Sequence, residues 1–143
     1  MNKKVAALCA ILCAVIVVTT VIVIQNQGNS TAPQYCGGDD MYRNRLISAS
    51  QAKELMTRYP SAIILDVRTE EEFQQGHIPG AVLLPDFDIQ YMAASILYDY
   101  NALILVYCRS GNRSRGAVEL LVSMGYKNVY DFGGFNTWPY GRS

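Results

Sequence analysis

The chain has little of what several function classes require. Its charges cancel, with twelve basic and twelve acidic residues among 143. From Tyr35 onward it carries ten basic and twelve acidic residues, a net charge of −2. No basic face suited to nucleic acid is present, and nucleic acid is excluded as a partner. Internal repeats and low-complexity blocks are absent, so a solenoid or a compositionally biased disordered chain is excluded. There is one histidine, His77, in a Gly-His-Ile-Pro-Gly turn far in sequence from any nucleophile. A general base must reach the proton it takes, so His77 is a weak candidate for that role. The four cysteines form no disulfide framework. Cys9 and Cys13 lie in an apolar run, Cys36 in a polar stretch and Cys108 in a loop. A Cys36–Cys108 bridge would suit an oxidising compartment. The polar tether argues against it as a structural bond, leaving Cys36 at most an occasional resolving thiol.

What is present divides the chain in three. Val5 to Ile24 is a run of twenty uncharged residues. As a helix it would span roughly 30 Å, the thickness of a bilayer's hydrocarbon core. Its length favours a retained anchor over a cleaved signal, whose apolar region is about 7–15 residues. Residues 1–24 are therefore expected to form a signal-anchor or signal peptide. Lys3 and Lys4 precede the run and Asp39 is the first charge after it. The positive-inside tendency then puts the rest of the chain on the extracytoplasmic side, membrane-anchored or secreted. Residues 25–40, rich in Gln, Asn, Gly, Ser and Thr, read as a flexible linker. Residues 41–143 form the remaining domain.

Within that domain apolar runs alternate with helical patterns. Arg45 to Ser48 is a short strand candidate. Ser48 with Gln51 forms a capping box, and Ala52, Leu55, Met56 and Tyr59 follow at helical spacing up to Pro60. Ala62–Leu65 is a buried strand ending in Asp66-Val67-Arg68. Thr69 with Glu72 is a second capping box opening a short acidic helix. Ala81–Leu84 is the next strand, and Ile89, Met92, Ala93 and Ile96 suit another helix. Ala102–Tyr107 is a second buried run. Ala117, Leu120, Leu121 and Met124 mark the core face of a helix from about Arg113. Asn128–Tyr130 is expected to be a last short strand. Strands without period-two alternation, interleaved with helices, predict an α/β fold with a parallel sheet covered on both faces. Ligands bind such folds at the carboxyl ends of the strands.

That edge is where the chemistry gathers. Cys108-Arg109-Ser110-Gly111-Asn112-Arg113-Ser114 joins the most apolar strand to a helix. A strand–loop–helix turn fans its N–H groups around the loop centre, and the helix dipole points there too. Arg109, Arg113 and Arg115 surround the thiol in sequence, so Cys108 is expected to have a lowered pKa and to act as a nucleophile. Asp66 and Arg68, ending a neighbouring strand, are expected to pair near the site in a structural role. Trp138 is expected in the core or a pocket wall.

Four stretches together resemble a known family. They are Asp66-Val67-Arg68-x-x-x-Glu72-Phe73, Gly76-His77-Ile78-Pro79-Gly80-Ala81, Cys108 to Ser114, and Gly133-Gly134 with Trp138. In that order they resemble the single-domain rhodaneses, over about residues 45–139. The resemblance implies a rhodanese-like fold with a five-stranded parallel sheet. It implies a thiosulfate sulfurtransferase-like activity, with a sulfane sulfur carried as a persulfide on Cys108 and no metal or other cofactor. The donor would be a small sulfur-containing anion and the acceptor cyanide or a thiol, a protein thiol included. The N–H groups of Arg109 to Arg113 would cradle the terminal sulfur. Arg109 and Arg113 would attract the donor, Gly111 would permit the tight turn, and Ser114 would lend its hydroxyl. A persulfide carrier or a protein-binding or sensing module shares the fold and stays as the alternative. Phosphatases and arsenate reductases related to the family have five residues between Cys and Arg. Here four separate Cys108 from Arg113, a smaller loop that suits one sulfur atom.

Overall fold

The computed structural model describes Tyr42 and residues 45–143. The expected anchor, the linker and Cys36 lie outside the described residues. Among the described residues no helix is long and apolar enough to cross a membrane.

The elements follow the order α1 (Ala49–Arg58), β1 (Ile63–Asp66), α2 (Glu70–Gln74), β2 (Val82–Leu83), α3 (Ile89–Ile96), β3 (Leu103–Cys108), α4 (Asn112–Ser123) and β4 (Asn128–Gly134). Short 3₁₀ turns cover Asp86–Asp88 and Phe135–Thr137. Both capping boxes form: Ser48 and Gln51 bond reciprocally at the start of α1, and Thr69 and Glu72 at the start of α2. Each satisfies amide donors that a helix start otherwise leaves open.

The sheet is parallel, in the order β2-β1-β3-β4. β3 lies in its middle, and side chains alternate across it. Ile104, Val106 and Cys108 join a core with Ile89 and Ala93 of α3 and Ala117, Val118 and Leu121 of α4. Leu105 and Tyr107 join the opposite core with Ala52 of α1, Phe132 and Trp138. Both faces are therefore dry, which is why the strand reads as a continuous apolar run. Trp138 is buried, with its Nε1–H donating to the carbonyls of Tyr140 and Gly141.

The sheet differs from the expected five strands. Four are present among the described residues, and the Arg45–Ser48 candidate contributes only a single parallel bridge, Leu46 to Asp131. Ile47 N–H donates to Asp131 O and Asp131 N–H to Arg45 O, each at 2.8 Å. Ser48 caps α1 immediately afterwards, so the chain turns away before a ladder can extend. The last strand is longer than expected, reaching Gly134 rather than stopping at Tyr130. A bulge allows this: Val106 pairs with Asp131, but Cys108 pairs with Gly134. The extra residue on β4 is taken up at Gly133, whose φ of +93° suits glycine.

Candidate active site

β3 delivers Cys108 to the carboxyl edge of the sheet with its side chain turned into the core, leaving the residue 1% exposed. The chain then reverses sharply. Gly111 sits at φ +102° and serves as the N-cap of α4 without any side-chain cap. The first amides of α4 are thus left without a capping side chain, and the sulfur takes that place. Gly111 N–H donates to Cys108 Sγ at 3.1 Å. The Ser114 hydroxyl, buried on the first turn of the helix, donates to Gly111 O at 3.1 Å and so closes the loop. The donors expected from sequence ran from Arg109 to Arg113. Gly111 N–H, within that range, is placed on the sulfur.

Burial pushes the Cys108 thiol up, and the converging donors of Ser114, Gly111 and Ser110 more than reverse that, so its pKa falls below the ordinary thiol value. Hydrogen bonds to the thiolate, rather than nearby guanidinium groups, account for the shift.

Gly134 backs the loop from β4. A Cβ there would stand 2.7 Å from Arg109 O and 2.8 Å from Ser110 Cα. Asn136 N–H donates to Arg109 O at 3.1 Å, tying the same segment to the loop.

The arginines divide between two duties. Arg113 is locked to Glu72 by two parallel bonds, Nη1 to Oε2 at 2.8 Å and Nη2 to Oε1 at 2.9 Å. That pairing holds the Glu72 carboxyl below its usual range. Glu72 Oε2 also accepts the Thr69 N–H at 3.1 Å, so one carboxylate caps α2 and anchors the start of α4. The capping role is local to Thr69 and Glu72; the second duty depends on a contact between residues 41 apart. Arg109 is exposed and lines a cavity of about 190 Å³ with Arg68, Glu72, Gln75, Phe135 and Asn136. Asn112 is exposed at the start of α4.

Asp66 and Arg68 are buried together. Arg68 Nη2 lies 2.7 Å from Asp66 Oδ2 and 2.8 Å from Gly76 O, and its guanidinium stacks 4.2 Å from the Phe135 ring centroid. Tyr107 joins them: its hydroxyl accepts Ile78 N–H at 3.1 Å, and burial beside Asp66 pushes its phenol up. These groups brace the cavity wall. His77 stacks on Phe73 at 3.8 Å and pairs through its backbone with Ser143; its ring bonds to Phe73 O and not to the loop.

Comparisons with known proteins place the chain in a family. The sequence matches the rhodanese-like domain family over residues 48–139. It is 39% identical over 70 residues to the thiosulfate sulfurtransferase PspE of Escherichia coli K12, covering 49% of this chain and 67% of that protein. It is 34% identical over 93 residues to the thiosulfate sulfurtransferase GlpE of Pseudoalteromonas translucida, covering 64% and 86%. Among solved structures, a rhodanese-like domain protein from Staphylococcus aureus superposes with a TM-score of 0.62 at 31% identity, covering 69% of this chain and 96% of that one. A rhodanese with anions from E. coli superposes at 0.54 with 33% identity, covering 57% and 96%.

Proposed function

The chain belongs to the rhodanese-like domain family, and from that premise we propose that it is a sulfurtransferase working through a persulfide on Cys108. The observation that carries the reading is one buried cysteine sulfur seated at the uncapped start of α4, where it takes the Gly111 N–H at 3.1 Å. That cradle fits a species the size of a sulfur atom and favours negative charge on it.

The Cys108 thiolate attacks the outer sulfur of a thiosulfate-type donor. A new S–S bond forms, the donor's own S–S bond breaks, and its electron pair leaves with sulfite. The persulfide's terminal sulfur keeps one negative charge, held by the loop amides. A cyanide ion or a thiolate then attacks that terminal sulfur. The Cys108 S–S bond breaks and the thiolate is restored, with no net redox change in the protein. Arg109, at the cavity wall, attracts the anionic donor; Arg113, held by Glu72, fixes the loop's shape and adds positive charge beside the sulfur. The Val5–Ile24 run would hold this domain at the extracytoplasmic face of a membrane, which fractionation with alkaline washing tests: the chain stays with the membrane if the anchor is retained.

Thiosulfate and cyanide supplied together test the activity. Thiocyanate should form with the wild type and not with Cys108→Ser. Hydrolysis of an aryl phosphate without thiocyanate formation would overturn the proposal in favour of phosphoryl chemistry.

A further inference from the structure

The outer side of α3 has the composition of an interface. Ile89 and Ala93 of the helix, and Leu97 just after it, are buried in the core. The opposite side of a surface helix ordinarily carries charge. Here none is available: from Ile89 to Tyr98 the chain has no Lys, Arg, Asp or Glu. Large apolar groups face outward instead. Phe87, just before the helix, is 64% exposed, Tyr91 79%, Met92 46% and Tyr98 84%. Single exposed apolar residues are ordinary, but four within one short segment mark a contact surface. Tyr, Phe and Met enriched where charge is depleted is the composition of an interface centre.

The rim of this surface is acidic. Asp86 and Asp88 flank Phe87, and Asp99 stands between Tyr98 and Tyr100. None of the ion pairs among the described residues involves these three carboxylates. From residue 69 to residue 108 the chain has six acidic residues and no Lys or Arg. Two cations border the stretch. Arg113 is held by Glu72, and Lys127 lies toward the far end, its amide donating to Tyr100 O at 3.0 Å. The negative balance is therefore greatest at the Asp86–Asp88 end, and that end lies on the carboxyl edge of the sheet. Asp86 N–H donates to Val67 O at 3.1 Å, Val67 N–H donates to Tyr107 O at 3.0 Å, and Cys108 is the next residue. The same 3₁₀ turn packs against α4, the helix that the sulfur loop opens.

We propose that this face docks a protein that accepts sulfur from Cys108, through a basic and apolar segment of that partner carrying the acceptor thiol. The inference rests on the sulfurtransferase reading and names its acceptor class. Lys or Arg of the partner meets Asp86 and Asp88, and its apolar side chains cover Phe87, Tyr91 and Met92. Its thiol is thereby held at the sheet edge where Cys108 stands. The partner thiolate attacks the terminal sulfur of the Cys108 persulfide. A new S–S bond forms on the partner, the Cys108 S–S bond breaks, and its electron pair restores the Cys108 thiolate. Charge decides against the other occupants. A second copy packed face to face would bring Asp86, Asp88 and Asp99 near the same carboxylates of its mate. Anionic lipid headgroups would meet the same repulsion. A basic segment complements the acidic rim and the aromatic centre together.

The test uses the full chain in nanodiscs of zwitterionic lipid, loaded with sulfur from thiosulfate. Three acceptors are compared: cyanide, a synthetic amphipathic peptide of Leu, Lys and one Cys, and the same peptide with Glu for every Lys. At low peptide concentration the Lys peptide should gain sulfur at least about tenfold faster than the Glu peptide, and the advantage should shrink in high salt. Phe87→Ser with Tyr91→Ser should abolish that advantage while leaving transfer to cyanide at the wild-type rate, since both side chains are exposed. Equal rates for the two peptides, or an advantage that survives in the double variant, would overturn the proposal. Tyr91→Cys reports the other occupants. A disulfide between copies at that position would assign the face to a second copy, and quenching of a dye there by brominated lipid would assign it to the membrane; either overturns the proposal. Sulfur loading and normal transfer to cyanide without a peptide preference would sink the docking face alone, whereas absence of loading would sink the sulfurtransferase reading.

Discussion

Replacing Gly134 by alanine tests how tightly the loop is built. The backbone there is ordinary, with φ −122° and ψ 142°, so alanine is not strained by its own conformation. The difficulty is space. The new methyl would lie 2.7 Å from Arg109 O, 2.8 Å from Ser110 Cα and 2.9 Å from Ser110 C. All three are backbone atoms of the sulfur-binding loop, so no flexible side chain can step aside. The loop must retreat by several tenths of an ångström, or β4 must. Overpacking of this kind costs about 1–3 kcal/mol. Displacing the amides that hold the sulfur should cost more in rate than in stability, with about 1 Å of misplacement worth roughly 100-fold. Gly133→Ala is the internal control. Gly133 has φ +93°, so alanine there is strained by about 1–2 kcal/mol, yet its Cβ would meet nothing within 4 Å. Thiosulfate–cyanide turnover and urea unfolding, measured on both, should separate them: both lose stability, while Gly134→Ala loses far more turnover. Equal turnover losses in the two variants, or wild-type turnover in Gly134→Ala, would refute the claim that Gly134 shapes the loop.

Three further outcomes are expected. Glu72→Gln removes the carboxylate shared by Arg113 and the α2 cap; since both partners are partly exposed, urea denaturation should register about 1 kcal/mol, and an unchanged midpoint would mean the bridge does not form in solution. Tyr107→Phe leaves the buried Ile78 N–H without its acceptor, and should lower stability by roughly 2 kcal/mol in the same assay. The lowered Cys108 pKa means the unfolded chain binds this proton more tightly than the native one. Stability therefore rises with pH between the folded thiol pKa and the ordinary value of about 8.5, and the gain is lost as pH falls through the folded pKa. Unfolding measured across that window should show the rise in the wild type and lack it in Cys108→Ser.

The features legible in the sequence were those whose cause is local. The Ser48–Gln51 and Thr69–Glu72 boxes each need only residues three apart, and both form as read. β3 was legible because burial on both faces leaves an unbroken apolar run, and the loop because its glycine and following helix are contiguous with Cys108. What escaped depends on distant partners. Asp131-Phe132-Gly133-Gly134 has the composition of a turn, yet it is strand, because a bulge absorbs Gly133 and the remote Tyr42 hydroxyl joins the nearby Gly133 N–H in satisfying the Asp131 carboxylate. The Glu72–Arg113 pair joins two helix starts that meet only once the sheet has assembled. That the sheet has four strands among the described residues reflects a conflict between neighbours: Arg45 to Ile47 can pair with β4, but the strong cap at Ser48 turns the chain into α1 at once.

The central claim is that one sulfur atom becomes covalently attached to Cys108. Intact-mass spectrometry of the protein after exposure to thiosulfate measures this directly. The account requires a gain of one sulfur on the wild type, its loss on adding cyanide, and no gain on Cys108→Ser. A wild type that shows no adduct, or an adduct that survives in Cys108→Ser, would contradict it.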